Sequence, residues 1–541
     1  MDIFETTHGA VRGFRASAEV VAVLGIPYAA PPFGALRFRE PAPAAAWTGV
    51  RDGTAFGPVA PQSAELPGAP VWSPGDEDVL TVNVWTPAPG GGSLPVLVWI
   101  HGGAYTFGSS AQPDFDGVAL ARAGLVVVTL NHRLGFEGFG HVPEADRSVF
   151  PDNRGLLDQV AALRWVRGNI AAFGGDPGNV TVAGQSSGAA SVACLMVMDR
   201  ARGLFRRAVL HSPASPHHTL SIAAATTREV AAAAGRPATP EGLASATPEA
   251  LVAATDRVVE AYRRDPASGS RHYDPSLYAP VLDGDVLPFD PLAALAAGAG
   301  REVDLLVCHT TEEYWLLDAV GSSAKVTTEE QLDRFAVDFG VPDGLIDGYR
   351  AALPGAPVLD VYLAVFGDLL FGEYAHRLAE EHARGGGRAF LSRFDRRRAG
   401  PHGPVRAWHC ADVPFAFGTV DEDCAAFLIG GAPTPADRDL SRRMVAAWAG
   451  FAATGDPGWP PYQDTARRVR VWRTEEEPGD GEDGRVEERG PGDGQGVRVE
   501  QEEPGDGQGS RVEGRGPGDG EDGRTDLRAL WTGAVFPLLR P

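Results

Sequence analysis

From Leu94 onward the chain alternates short apolar runs with helix-period stretches, and this alternation restricts the fold more than any other feature. Strand, crossover helix, strand implies a mainly parallel sheet covered by helices on both faces. The clearest runs are Pro95–Ile100 (PVLVWI), Leu125–Leu130 (LVVVTL), Val180–Ala183 (VTVA), Ala208–His211 (AVLH) and Asp304–Cys308 (DLLVC). Each is β-branched or Leu-rich without strict alternation, as strands buried on both faces should be. Between the second and third, Leu156, Val160, Leu163, Val166, Ile170 and Phe173 recur every three or four residues. They predict one face of a long helix, ended by Gly174-Gly175. Residues 215–300 and 326–385 read as further helices, a cap or outer layer over the strand ends.

The charge is unevenly spread. The 541 residues carry 48 basic and 71 acidic side chains, a net charge of −23, which argues against a nucleic-acid partner. Between Thr474 and Arg524, 17 acidic residues face 6 Arg, so −11 sits in 51 residues and −12 in the other 490. There PGDG begins at Pro478, Pro491, Pro504 and Pro517, always 13 residues apart. Such units are too poor in apolar surface to offset ordering entropy, so disorder is expected for this low-complexity acidic segment. The Asp residues lack the alternating ligand pattern of an EF-hand loop, which leaves a tandem expansion as the simpler reading. Foldable sequence (DLRALWTGAVFPLL) resumes afterwards. The organisation expected is therefore one large domain at 1–475, an insertion at 476–524, and a C-terminal remnant of the same domain at 525–541.

No run approaches the roughly 18 uncharged apolar residues of a membrane helix, and the N-terminus MDIFETTHGAVRGF has no apolar core of a secretory signal. The four Cys (Cys194, Cys308, Cys410, Cys424) show no CxxC spacing, so neither a metal site nor a redox pair is expected. They read as small buried or half-buried side chains in a cytoplasmic protein.

Two motifs carry chemistry. The strand VTVA runs into Gly184-Gln185-Ser186-Ser187-Gly188 and then into a small-residue helix, the context of a nucleophile elbow. The glycines allow a sharp turn and close approach of strand and helix, leaving the Ser186 hydroxyl above the sheet. The bland alternative is an ordinary Gly-Ser turn. The second motif, His101-Gly102-Gly103-Ala104-Tyr105, follows PVLVWI. Small residues at a strand's carboxyl end can point N–H groups into a cleft, where Gly103, Ala104 and Ser187 would hold an oxyanion. Here too the bland alternative is a tight structural turn.

With these motifs the chain resembles the type-B carboxylesterase family of the α/β-hydrolases, which includes bacterial p-nitrobenzyl esterase-like enzymes and cholinesterases. The resemblance rests on GIPYAAPPFGALRFREP (25–41), EDVLTVNVWTP (77–87), PVLVWIHGGAYTFG (95–108), VVVTLNHRLGFEGF (126–139) and NRGLLDQVAALRWVRGNIAAFGGDPGNVTVAGQSSGA (153–189). It implies an α/β-hydrolase fold and a cofactor-independent serine carboxylesterase acting on small-molecule esters through an acyl-enzyme. It also implies the partners of Ser186. The family's acid, a Glu in a pattern like GTTxDEG, falls on Glu313 of CHTTEEYW, with Glu312 as the rival one residue away. Its base, in a pattern like HxxExxxxFG, falls on His409 of WHCADVPFAFG. The order Ser, acid, His is the one this fold requires.

The chain departs from the family pattern in places. Gln185 and Ser187 stand where GESAG has Glu and Ala, Cys308 replaces a Gly, and Tyr314 follows the acid. Ala60 and Val79 occupy the positions of a disulfide found in many members, in keeping with a reducing compartment. Arg133, Glu77 and Asp78 read as structural ion-pair residues. Tyr105, Phe107, Trp72 and Phe417 are candidates for the substrate pocket, each with core packing as the alternative. Two other functions remain compatible with the resemblance. One is a hydrolase of amides, carbamates or carbonates on the same fold; the other is a catalytically silent, cholinesterase-like binding protein. The sequence leaves the oligomeric state open.

Overall fold

The computed structural model describes residues 2–64, 71–400, 403–463, 468–474, 527–531 and 534. The expected insertion at 476–524 lies outside the described residues.

Ten strands form the central sheet: β1 (Phe14–Arg15), β2 (Val21–Pro27), β3 (Thr81–Thr86), β4 (Leu94–Ile100), β5 (Val126–Leu130), β6 (Gly175–Gln185), β7 (Arg207–His211), β8 (Asp304–Thr310), β9 (Ala389–Phe394) and β10 (Arg470–Trp472). Their spatial order is β10-β9-β8-β7-β6-β4-β5-β3-β2-β1. Pairing is parallel from β5 through β10 and antiparallel among β1, β2, β3 and β5. All five strands expected from sequence are present. From β4 the chain moves to β5 on one side, then crosses to β6 on the other. The carboxyl ends of β4 and β6 therefore flank a topological switch point, where ligands of open α/β sheets bind.

Each face of the sheet is covered. Val96, Val98 and Ile100 of β4 join one apolar core with Leu156, Val160 and Leu163 of α1 (Arg154–Asn169), Val192 and Leu195 of α2 (Ser187–Val197), and Val361 and Leu378 of α3 (Val358–Gly367) and α4 (Glu373–Arg384). Leu97 and Trp99 of the same strand face a second core with Leu440, Met444 and Trp448 of α5 (Pro435–Thr454). The six residues of the expected helix face are all buried; four lie on α1, while Ile170 and Phe173 lie on a 3-10 turn (Ile170–Phe173) that continues it and that Gly174 closes with φ 83°. Within the stretches expected to be helical lie Leu220–Ala233, Pro248–Arg264, Glu329–Phe339 and Leu345–Ala352 as well as α3 and α4. They pack into the first core through Val230, Leu251, Phe335 and Tyr349.

Arg133 forms its ion pair with Asp158, 2.7 Å away and equally buried, while Asp78 meets Arg51 at the surface. The four cysteines are unpaired, and Cys424 is exposed, contrary to the buried or half-buried role expected for it. Past the undescribed stretch, Arg528 ion-pairs with Glu373 and Glu380 of α4. Buried Trp531 donates its indole N–H to Tyr349 Oη at 3.0 Å.

Candidate active site

β6 delivers Ser186 to the switch point. Its φ and ψ are 55° and −124°, a sparsely populated conformation for a residue with a Cβ that costs about 1–3 kcal/mol unless its surroundings enforce it. They do so here: Ser186 N–H donates to His211 O at 2.9 Å, and Ser186 O accepts from Ala190 N–H at 2.9 Å. Two glycines make the elbow possible. A Cβ on Gly188 would lie 2.2 Å from Ile100 O, and one on Gly184 would lie 2.6 Å from the Gly188 backbone. Ser186 is half-buried, at the N-terminus of α2.

The loop after β4 folds back on itself. Thr106 and Phe107 N–H groups donate to Gly103 O, at 2.9 and 3.0 Å. Gly103 has φ 118°, and a Cβ there would collide with Phe107 O; Ala104 and Tyr105 also have positive φ. The N–H groups of Gly103, Ala104 and Ser187 have no acceptor among the described residues. His101 and His132 stack beneath this loop with ring centroids 4.8 Å apart. Burial, reinforced by its neighbour His132, lowers the His101 pKa to about 3, and burial lowers that of His132 to about 4.

Glu313 and His409 come together at the carboxyl end of β8. The His409 Nδ1–H donates to Glu313 Oε2 at 2.6 Å. Glu313 Oε1 accepts from Ser212 Oγ and from Thr310 N–H, both at 2.6 Å. The carboxylate fixes the proton on Nδ1, leaving Nε2 as an acceptor. That lone pair receives the Gln185 amide at 2.8 Å. Glu312 points elsewhere, into Arg406 (2.7 Å), Arg397 (3.0 Å) and the N–H of Ala407 (3.1 Å).

Of the aromatic residues considered for the pocket, Trp72 stacks on Phe33, Tyr105 packs on Phe139, and Phe417 lies in the second core against Trp99. All three are buried; Phe107 is half-buried. An aromatic residue not anticipated from sequence is Phe371, whose ring centroid lies 4.3 Å from that of His409. It sits in a π-helical turn, Asp368–Gly372, between α3 and α4. Such turns push a side chain out of helical register and recur at functional sites. The apolar run around it reads as uninterrupted helix, so periodicity alone carries no mark of this turn.

Behind the site, His211, Cys308 and Asp412 form a buried group of potential metal-ligand types. Trp448 donates its indole N–H to His211 Nε2 at 2.8 Å, so the imidazole proton is on Nδ1, directed at Asp412 Oδ2 2.7 Å away. Cys308 Sγ adds a donor to the same oxygen at 3.4 Å. Both ring nitrogens of His211 and the Cys308 thiol are thus engaged in a hydrogen-bond network that converges on Asp412 Oδ2.

A strained serine at a strand–helix elbow, set at the switch point of a mostly parallel sheet with a His–Glu pair nearby, defines the serine-hydrolase class of α/β-hydrolase folds. The chain belongs to the carboxylesterase family, whose model matches residues 2–479, and is a carboxylic-ester hydrolase. It is 35% identical to para-nitrobenzyl esterase of Bacillus subtilis (strain 168), covering 87% of this chain and 95% of that protein. Phenmedipham hydrolase of Pseudarthrobacter oxydans is also 35% identical, over 83% of this chain and 88% of its own. Among solved structures, the Geobacillus stearothermophilus carboxylesterase EST55 superposes with a TM-score of 0.76 at 36% identity, covering 87% of this chain and 96% of that one.

Proposed function

We propose that Ser186, His409 and Glu313 are the catalytic triad of this carboxylesterase, and that its substrates are small-molecule carboxylic esters. The Glu313–His409 hydrogen bond of 2.6 Å carries the reading, because it prepares Nε2 to accept a proton. In acylation, Ser186 Oγ attacks the ester carbonyl carbon while its proton passes to Nε2. The carbonyl oxygen becomes an oxyanion, for which the free N–H groups of Gly103, Ala104 and Ser187 are the donors; losing one typically costs about 3–4 kcal/mol of transition-state stabilisation. The tetrahedral species collapses, and the departing alkoxide takes the proton from Nε2 and leaves as alcohol. Water then attacks the acyl-enzyme and gives its proton to the same nitrogen; as the second tetrahedral species collapses, that proton passes to Ser186 Oγ and the acid is released. Glu313 keeps the proton on Nδ1 and stabilises the imidazolium without itself being protonated.

Among the described residues no helix is long and apolar enough to cross a membrane. The cysteines, all unpaired, support a cytoplasmic setting.

Hydrolysis of p-nitrophenyl acyl esters of graded chain length by the parent and by Ser186→Ala, His409→Ala, Glu313→Ala and Glu312→Ala tests the assignment. Turnover should fall about a million-fold in Ser186→Ala. Undiminished turnover in that variant, pure and folded, would overturn the mechanism.

A further inference from the structure

The end of β7 touches two of the three proposed catalytic residues and the loop that carries the third. His211 O holds the N–H of Ser186 (2.9 Å), and the next residue, Ser212, donates its hydroxyl to Glu313 (2.6 Å). Ser212 has φ 46°, and its N–H donates to Cys308 O at 2.7 Å, which ties β7 to β8 just below the acid. The remaining element is the loop carrying His409, which enters its turn through Cys410 at φ 69°. What ties that loop to β7 is a second imidazole–carboxylate pair, His211 Nδ1 to Asp412 Oδ2, with both side chains fully buried. Asp412 lies three residues after His409.

This pair has the properties of a rigid strut. Trp448 and Asp412 occupy both ring nitrogens of His211, so the ring cannot turn without losing two hydrogen bonds in a dry interior. Asp412 Oδ1 has no partner among the described residues, so the carboxylate depends on what reaches Oδ2. Burial pushes the Asp412 pKa up, but the neighbouring His211, with the hydrogen bonds from His211 and Cys308, outweighs it and leaves the carboxyl below its ordinary value. Removing one member of such a pair strands the other without compensation, and the loop's cheapest response is to shift.

We propose that the buried His211–Asp412 pair positions the catalytic machinery, locking the strand end that braces Ser186 and Glu313 to the loop that carries His409. It rests on the triad reading and acts through it, since neither side chain is placed to touch substrate. Displacing a catalytic group by about 1 Å can cost about a hundredfold in rate.

The test measures kcat per active site, KM and the unfolding midpoint for His211→Leu, His211→Gln, Asp412→Leu and Asp412→Asn, counting sites with a serine-directed sulfonyl fluoride. His211→Leu and Asp412→Leu should lower kcat per titrated site about 10- to 100-fold with KM within about twofold. His211→Gln keeps an N–H that can reach Asp412 and should recover most of that loss. Unchanged kcat per titrated site in the folded Leu variants would overturn the proposal, as would a His211→Gln as crippled as His211→Leu. Asp412→Asn preserves volume and keeps a carbonyl oxygen that can accept from His211 Nδ1, so it should recover most of the loss seen in Asp412→Leu; an Asn variant as crippled as the Leu variant would also overturn the proposal. If mass spectrometry finds the label on a residue other than Ser186, the triad reading itself fails, an outcome distinct from failure of the strut.

Discussion

The side-chain amide of Gln185 donates to His409 Nε2 at 2.8 Å, so the residue preceding the nucleophile occupies the lone pair that the nucleophile's proton must reach. One lone pair cannot serve the amide and the Ser186 hydroxyl together. Gln185→Met removes the donor at nearly constant volume. Since a net hydrogen bond is worth about 1 kcal/mol, acylation should speed up about fivefold, read as the rate of Ser186 inactivation by a sulfonyl fluoride. A slower rate would mean that the amide assists the base rather than competes with it.

The two adjacent carboxylates should separate by kinetics. Glu313→Ala removes the group that fixes the His409 tautomer and should lower kcat about ten-thousand-fold. Glu312→Ala breaks contacts to Arg406 and Arg397 and should lower the unfolding midpoint while kcat per titrated site stays within about tenfold. The opposite pattern would exchange the assignments.

Much of this site was legible in one sequence because its chemistry is local. Gly184 and Gly188 announce the elbow, since no other residue lets strand and helix approach so closely, and the β4–loop motif is likewise contiguous. The strands legible without help are those with nearly uninterrupted apolar runs; β3 and β9 are buried throughout as well, but Asn83 and Ser392-Arg393 break their runs. The antiparallel edge formed by β1, β2 and β3 was not singled out, nor were β9 and the three-residue β10, too short to show a period. What stayed hidden depends on distance in the chain. Gln185 meets His409 across 224 positions and His211 meets Asp412 across 201. No periodicity encodes such pairs, and the π-helical turn that turns Phe371 onto His409 leaves no mark in the apolar pattern.

Arg133 and Asp158 form a bidentate pair with almost no solvent contact. Asp158→Ala leaves a guanidinium buried without its counter-ion and should destabilise the fold by about 3–5 kcal/mol. Urea unfolding at neutral pH provides the measurement; a change below about 1 kcal/mol would contradict the role given to the pair.

Acid should weaken the fold ahead of the carboxylates. Burial is the first cause of the lowered pKa values of His101 and His218, to about 3, and of His132 and His309, to about 4. An unfolded chain protonates these groups near pH 6.5, so between pH 6.5 and about 4 it binds more protons than the native state. The stability they supply is therefore complete above pH 6.5 and lost as pH falls through that window, at up to about 1.4 kcal/mol per pH unit for each group. Urea midpoints at pH 7 and pH 5 should differ, and His132→Asn should narrow the difference. Equal midpoints would count against the neutral, buried state of these rings.

Deleting residues 478–516 should leave kcat per titrated site within about twofold of the parent. Loss of turnover without unfolding would assign the acidic repeat a part in catalysis.

The clasp formed by Arg528 with Glu373 and Glu380, and by Trp531 with Tyr349, closes a ring. The chain leaves the described body at Thr474 and is held by it again at Leu527. The entropy of closing a ring depends on the logarithm of its length, so doubling the connection costs only about 0.6 kcal/mol. Gaining or losing one 13-residue unit should then change the stability of the folded enzyme little. Fixed anchors on either side should make this a place where length can vary, and where foreign sequence can be inserted without disturbing the hydrolase.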